Sequence, residues 1–315
     1  MKRDRPQTGI HALSLNISER KGTVKTPVPE LTIDERGCVG DAHAGDWHRQ
    51  VSLLAQESVD RFAESMKRKI QPGEFAENIT TSGIDLGDVS LLDRFVIGDV
   101  ELEVTQIGKE CHGDTCAIFR EVGKCVMPKE GIFCRVLKTG TVRTGDGITY
   151  LPRPLHFLVI TLSDRAHRGE YEDLSGPRVR DILSGFFRDK RWHIEIESRL
   201  IGDEAEHLER ELVSARDTDI DVVITTGGTG VGPRDITPDV VRPLCDKIVP
   251  GVMEQIRLKY GADKPNALLS RCVTGVMRQT LVYTLPGSVR AVNEYMEEIL
   301  KTMEHLITMI HGLGH

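Results

Sequence analysis

Residues 220–239 constrain the fold of this chain more than any other stretch. The apolar run Ile220, Val222, Val223 and Ile224 breaks into Thr225-Thr226-Gly227-Gly228-Thr229-Gly230. A helix start follows, with Thr237 as N-cap, Pro238 at the first helical position and Asp239 in the first turn. A strand that feeds a glycine-rich loop and then a helix N-terminus is an α/β element suited to phosphate. Glycine lets the backbone approach the anion, while unpaired N–H groups and the positive helix end offset its charge. The loop also carries an acid, Asp235, where metal binding or phosphate transfer has a use for one.

The flanking sequence extends this element. An apolar run over 155–162 ends in Ser163-Asp164-Arg165, and helical spacing covers 176–187. A second run over 193–201 precedes a charged helix over 204–216. Strand, helix, strand, helix and strand in succession predict a mostly parallel sheet with helices on both faces. Residues 10–150 differ. Short apolar alternations such as His11-Ala-Leu-Ser-Leu-Asn-Ile are separated by Gly and Asp turns, which predicts an antiparallel, barrel-like β domain with one helix near 56–66. The stiff Pro152-Arg153-Pro154 marks the boundary. The expected layout is therefore residues 1–150, a linker at 151–154, and residues 155–315.

Charge and composition narrow the function. The net charge of −7 is spread evenly: residues 1–150 carry 20 basic against 23 acidic side chains, and residues 151–315 carry 21 against 25. Neither half has the basic excess of a nucleic-acid binder. No apolar stretch reaches the roughly 20 residues needed to span a bilayer, and no apolar segment follows the charged N-terminus, so a cytoplasmic protein is expected. Seven cysteines, an odd number in such a chain, argue against a disulfide framework and leave thiol chemistry, metal binding or burial open.

Further segments stand where a ligand at the loop would meet them. Ser163-Asp164-Arg165 follows the first strand of the second half, and Ser270-Arg271 follows Leu268-Leu269. Leu285-Pro286-Gly287-Ser288 ends another strand and opens the last helix. Glu254 and Arg257 lie one helical turn apart. Each has a bland reading alone: an N-cap, a tight turn, a solvated ion pair. The last helix repeats Val289, Val292, Met296, Ile299, Met303, Leu306 and Ile310, an apolar seam that packs on the sheet or, alternatively, on a second copy.

Taken in order, Leu162-Ser-Asp-Arg165, Thr226-Gly-Gly-Thr-Gly230, Pro233-Arg-Asp-Ile-Thr-Pro-Asp239, Pro250-Gly251 with Glu254, Leu269-Ser-Arg271 and Leu285-Pro-Gly-Ser288 resemble the molybdopterin adenylyltransferases of the MogA/MoaB type. The resemblance implies a three-layer α/β/α fold, assembly as trimers or hexamers, and transfer of AMP from Mg-ATP to molybdopterin with release of pyrophosphate. It implies that Gly227, Gly228, Thr229 and Gly230 cradle phosphate and that Asp235 and Asp164 hold Mg²⁺, with Glu254 as a third acid. Ser270, Arg271, Pro286, Gly287 and Ser288 would contact pterin or phosphate. Such chemistry needs positioned phosphates, offset charge and a held metal more than a covalent catalyst.

In the first half, Gly40-Asp41-Ala42-His43 with His48 and the Cys111-His112 pair permits a metal reading, but the cysteine spacings lack the short pairs of structural zinc sites. Gly40-Asp41-Ala42-His43, Glu77-Asn78-Ile79, Gly98-Asp99 and Cys111 resemble the MOSC domain, named after molybdenum cofactor sulfurases. That family implies a β-barrel and a cysteine that carries sulfur or binds the cofactor's molybdenum or tungsten, as a soft, nucleophilic thiolate can. Glu110 stands where the commoner pattern has proline, and Cys116, Cys125 and Cys134 are rivals of Cys111. The expectation is a two-domain enzyme of molybdenum cofactor biosynthesis that adenylates molybdopterin and binds the cofactor in its first half. The alternative is a non-catalytic molybdopterin carrier or scaffold.

Overall fold

The computed structural model of the chain describes residues 9–109 and 126–313. Two compact units divide the chain, Met1–Arg153 and Pro154–His315.

The first unit is sheet-rich. Its strands are β1 (His11–Ile17), β2 (Thr26–Val28), β3 (Glu30–Asp34), β4 (Gly37–Cys38), β5 (Val51–Ala55), β6 (Ile79–Ser82), β7 (Arg94–Ile97), β8 (Val100–Ile107), β9 (Ile132–Lys138), β10 (Gly140–Arg143) and β11 (Ile148–Leu151). Eight form one sheet in the order β11-β7-β8-β9-β5-β6-β1-β2, and β10-β3-β4 form a second. The alternation read from sequence is real: in β3 and β7 every second residue is buried. Leu15, Leu53, Ile79, Phe95, Leu102 and Val104, all with 0% exposure, form the core. The N–H of Ala12 donates to Asp146 O (2.9 Å) and that of Ile148 to Ile10 O (2.9 Å), so β1 also meets the segment leading into β11.

One pairing departs from the antiparallel expectation. β5 and β6 run parallel because helix α1 (Gln56–Met66) joins them, and a parallel pair needs such a crossover. A second helix, α2 (Met127–Glu130), precedes β9.

The second unit is a six-stranded mixed sheet, with β12 (Leu155–Leu162), β13 (Ile194–Ile201), β14 (Val222–Thr226), β15 (Lys247–Ile248), β16 (Thr274–Met277) and β17 (Thr280–Leu285) in the order β13-β12-β14-β17-β16-β15. The first four are parallel, whereas β16 is antiparallel to both of its neighbours. The reason is the two-residue turn at Arg278-Gln279, with Arg278 at φ +56°, which can only fold β17 back beside β16. Helices α3 (Asp164–His167), α4 (Ser175–Phe187), α5 (Ala205–Asp217), α6 (Thr237–Leu244), α7 (Pro250–Gly261) and α8 (Val289–Ile310) complete the unit. Leu158, Ile160 and Leu162 of β12 pack with Leu208 and Leu212 of α5 and Val241 of α6. Phe157, on the opposite side of that strand, meets Phe187 of α4 (5.5 Å).

Two details differ from expectation. Thr237 is the first residue of α6 rather than its cap; its Oγ1 donates instead to Gly227 O (2.8 Å). On α8, Val292, Met296, Ile299 and Met303 are buried as the seam requires, but Ile307 takes the buried place assigned to Leu306 and Ile310. A 3.6-residue period drifts off a strict three-four alternation over six turns. No helix among the described residues is long and apolar enough to cross a membrane.

Candidate functional site

The glycine loop follows β14, beside the carboxyl ends of β12 and β17, where open α/β sheets bind ligands. Gly227 stands at φ +105°, and a Cβ there would lie 2.3 Å from Leu162 O. Gly228 stands at φ +61°, with Thr237 Oγ1 2.7 Å from where its Cβ would be. Only glycine satisfies both the left-handed backbone and the close approach. The Gly227 N–H donates to Leu285 O (2.9 Å), and a Cβ on Gly287 would lie 3.3 Å from Gly227 Cα, so the Leu285-Pro286-Gly287-Ser288 turn lies directly against the loop. Among the described residues, no protein acceptor takes the N–H groups of Gly228, Thr229 and Gly230. Three free donors in succession are what an anion requires.

A cleft of about 310 Å³ opens beside this loop, lined by Ser163, Asp164, Asp203, Gly228, Arg234 and Asp235 among others. Asp164 and Asp203 hold each other: the Asp203 N–H donates to Asp164 Oδ1 (2.9 Å) and the Asp164 N–H to Asp203 Oδ2 (3.1 Å). Arg234 pairs with the other Asp164 oxygen. The Asp203 N–H, and then Arg234, hold the Asp164 carboxyl below the usual carboxylate range. Asp235 accepts the Gly232 N–H at Oδ2 (2.8 Å), bracing its own loop. The cleft thus combines hard oxygen donors with guanidinium groups, a mixture suited to a polyphosphate and its divalent cation. No cluster of three or more His, Cys, Asp or Glu among the described residues forms a self-sufficient cage.

Residues 158–305 match the profile of the probable molybdopterin binding domain, and residues 40–149 that of the MOSC domain. The chain is 34% identical over 159 residues to molybdopterin adenylyltransferase of Helicobacter pylori, covering 50% of this chain and 89% of that protein. It is 33% identical over 156 residues to the protein of the same name from Escherichia coli K12, covering 49% and 77%. The chain belongs to the molybdopterin adenylyltransferase family. Residues 40–149 form a MOSC domain. Among solved structures, the molybdopterin biosynthesis enzyme MoaB of Thermus thermophilus is 34% identical over 50% of this chain and 97% of that one, with a TM-score of 0.46.

The remaining residues singled out in the adenylyltransferase half are placed unequally. Arg271, expected to face phosphate, is instead bound to protein. Nε donates to Gly230 O (2.7 Å), Nη1 to both Asp239 oxygens (2.7 and 2.9 Å) and Nη2 to Asp235 O (2.5 Å), while its N–H donates to Thr229 O (3.0 Å). It clamps the loop from behind. Ser288 is the N-cap of α8, accepting the Ala291 N–H at 3.2 Å, and Ser270 Oγ contacts Cys272 Sγ (2.9 Å). Pro286 O accepts from Thr226 Oγ1 (3.2 Å). Glu254 is exposed on α7 and does not line this cleft, and Arg257 donates to Ser270 O and Cys272 O rather than pairing with it.

Asp203, Arg234, Tyr171 and Asp173 were missed as site residues. Asp173 accepts the Ser175 and Gly176 N–H groups (2.9 and 3.1 Å) and the Thr161 hydroxyl (2.7 Å), which fixes the start of α4. The sequence Asp173-Leu-Ser-Gly-Pro177 carried that signal as an acid two residues before a helix start.

In the MOSC half, the densest polar motif is internal. Asp41 Oδ2 accepts from Lys25 Nζ (2.5 Å) and the Ser18 N–H (3.0 Å), and Oδ1 from the His43 N–H (2.9 Å) and Nδ1 (3.3 Å). Burial raises the Asp41 pKa, but His43 and Lys25 outweigh it and hold the carboxyl well below its usual range. Glu77 accepts from Gly73 N–H (2.6 Å) and Thr80 Oγ1 (2.9 Å), and Asn78 Oδ1 from the Ser52 N–H (3.1 Å). Of the residues in the metal reading, Asp41 is committed to the ion pair with Lys25, because its lone pairs are already taken, and Cys111 and His112 lie outside the described residues. Cys134 is fully buried and its thiol is pushed up by burial, so it acts as a small apolar residue. Cys38 is likewise pushed up to about 12. Cys111, Cys116 and Cys125 lie outside the described residues.

Proposed function

We propose that the C-terminal domain transfers AMP from ATP to the terminal phosphate of molybdopterin. An oxygen of that phosphate bonds to the α-phosphorus of ATP, the bond to the bridging oxygen breaks, and pyrophosphate leaves with the electron pair. The observation that carries this reading is the run of three N–H groups without protein acceptors at Gly228, Thr229 and Gly230, the first of them lining a cleft that carboxylates also line. These donors bind phosphate oxygens. Mg²⁺ held by Asp235 and Asp164, with Asp203 beside them, supplies charge offset when bound. Arg271 acts through the loop it clamps, and Ser270, Ser288, Pro286 and Gly287 shape the adjoining wall. Glu254 has no part in this reading.

The same reading makes the chain a cytoplasmic trimer or hexamer, in which exposed Leu258, Leu268 and Leu269 are side chains a neighbouring copy would cover. It makes the N-terminal sheet a closed barrel, joined where His11 bridges Gly147. That domain binds the pterin cofactor, and the Cys111 thiolate handles its sulfur or its molybdenum or tungsten. Two variants test the halves together. Asp235→Asn is expected to lower AMP transfer about a hundredfold, the scale of one lost charge-stabilising group, with molybdopterin affinity nearly unchanged. Cys111→Ser is expected to leave transfer intact and to reduce cofactor retention. An unchanged rate in the first variant removes Asp235 from the chemistry, and unchanged retention in the second removes Cys111.

A further inference from the structure

A second cleft, of about 200 Å³, adjoins the first and is lined by Thr161, Glu172, Asp173, Leu174, Ser175 and Gly287 among others. Leu162, Ser163 and Tyr171 line both clefts. Of these, Leu162 is buried strand end and Ser163 caps α3, accepting the Ala166 N–H at 3.2 Å. Tyr171 alone projects a large surface, with 47% of it exposed. Its hydroxyl lies 2.7 Å from Ser163 Oγ. The Arg165 guanidinium stands over its ring, 5.0 Å from the centroid.

This is an expensive placement for a bland residue. An open aromatic ring gains little by burial, yet it is fixed at its tip by a hydrogen bond and at its face by a cation. Both tethers come from the Ser163-Asp164-Arg165 turn that supplies a carboxylate to the first cleft. The ring is therefore held in register with that carboxylate, at the boundary between the two clefts.

We infer that Tyr171 is the partition between two substrate subsites and the stacking surface for a planar heteroaromatic ring whose phosphate lies at the glycine loop. The inference rests on the reading of the cleft as a nucleotide and pterin site, because adenine and pterin are the two rings that reading brings there. An aromatic side chain recognises such a ring by face-to-face dispersion and remains indifferent to its hydrogen-bonding edge. The hydroxyl acts as a strut; the ring does the binding. Tyr171 is thus a ring-binding residue of the site rather than a group that moves a proton.

The test uses the full chain and two probes, a non-hydrolysable ATP analogue with Mg²⁺ and molybdopterin, with dissociation constants measured by calorimetry for the wild type, Tyr171→Phe and Tyr171→Ala. Tyr171→Ala is expected to weaken at least one probe by tenfold or more, the probe affected identifying the ring that stacks; loss of both identifies a wall shared by the two. Tyr171→Phe, which keeps the ring and loses the strut, is expected to stay within threefold of wild type for both probes. Affinities of Tyr171→Ala within twofold of wild type for both probes overturn the inference. A phenylalanine variant as weak as the alanine variant also overturns it, since the hydroxyl and not the ring would then carry the binding. Wild-type protein that binds neither probe defeats the parent reading of the cleft. Wild-type protein that binds both but forms no product leaves the stacking role standing while adenylyl transfer falls.

Discussion

Two polar motifs, Gly40-Asp41-Ala42-His43 and Thr226-Gly-Gly-Thr-Gly230 with Asp235, look alike in sequence and differ in what their hydrogen bonds do. Asp41 has both oxygens taken, by Lys25, Ser18 and His43, and its side chain is 1% exposed. The glycine loop leaves Gly228, Thr229 and Gly230 N–H groups without protein acceptors, and Gly228 lines a cleft. A motif whose polar groups satisfy one another holds a fold together. One that leaves a run of donors open, against the strong tendency of folded chains to pair them, has donors available to a ligand.

The contrast predicts opposite responses to substitution. The largest expected effect lies in the first half. Asp41→Ala strands Lys25, whose side chain is 0% exposed, and is expected to cost roughly 3–5 kcal/mol of stability in denaturant unfolding, with AMP transfer by the folded fraction unchanged. Because the native carboxyl is depressed, its contribution is present above the ordinary carboxylate range and is lost as pH falls through the lowered native value. The acid-unfolding midpoint of the wild type should therefore lie lower than that of the variant. A loss under about 1 kcal/mol would mean the motif is not the scaffold described.

A smaller effect, and a mixed one, is expected at Arg271, where scaffold and site meet. Arg271→Ala removes bonds to Gly230 O, Asp235 O and Asp239 and is expected to cost about 1–2 kcal/mol. It should also raise the nucleotide KM more than it lowers kcat, since the loop and not the reacting atoms is disturbed. A pure stability loss, with kinetic constants of the folded protein unchanged, would place Arg271 with Asp41 as framework only.

Much of this was legible in the sequence. The β14-loop-α6 element, the turn at 285–288 and the strand-helix alternation of the second half follow from local rules of glycine, capping and period, and the structure has them. The pairings did not follow. Asp203 reads as the turn before α5, and only the fold brings it to Asp164, 39 residues away in sequence. Lys25 and Asp41 lie in separate polar stretches, and their partnership depends on how β1, β2 and the following loop close. The bend of β17 back onto β16 rests on Arg278 adopting a left-handed conformation that no glycine announces. Arg271 was recognised as important but given a ligand, because a sequence shows a charge and not what already neutralises it.

The central claim is that the open loop of the second half activates ATP. Purified full-length protein, molybdopterin and Mg-ATP, followed by chromatography of the pterin and a pyrophosphate assay, tests it most directly. The account predicts adenylylated molybdopterin and pyrophosphate in equal amounts, with neither formed when Mg²⁺ is withheld. Tight binding of molybdopterin with no pyrophosphate released would contradict it and make the protein a carrier.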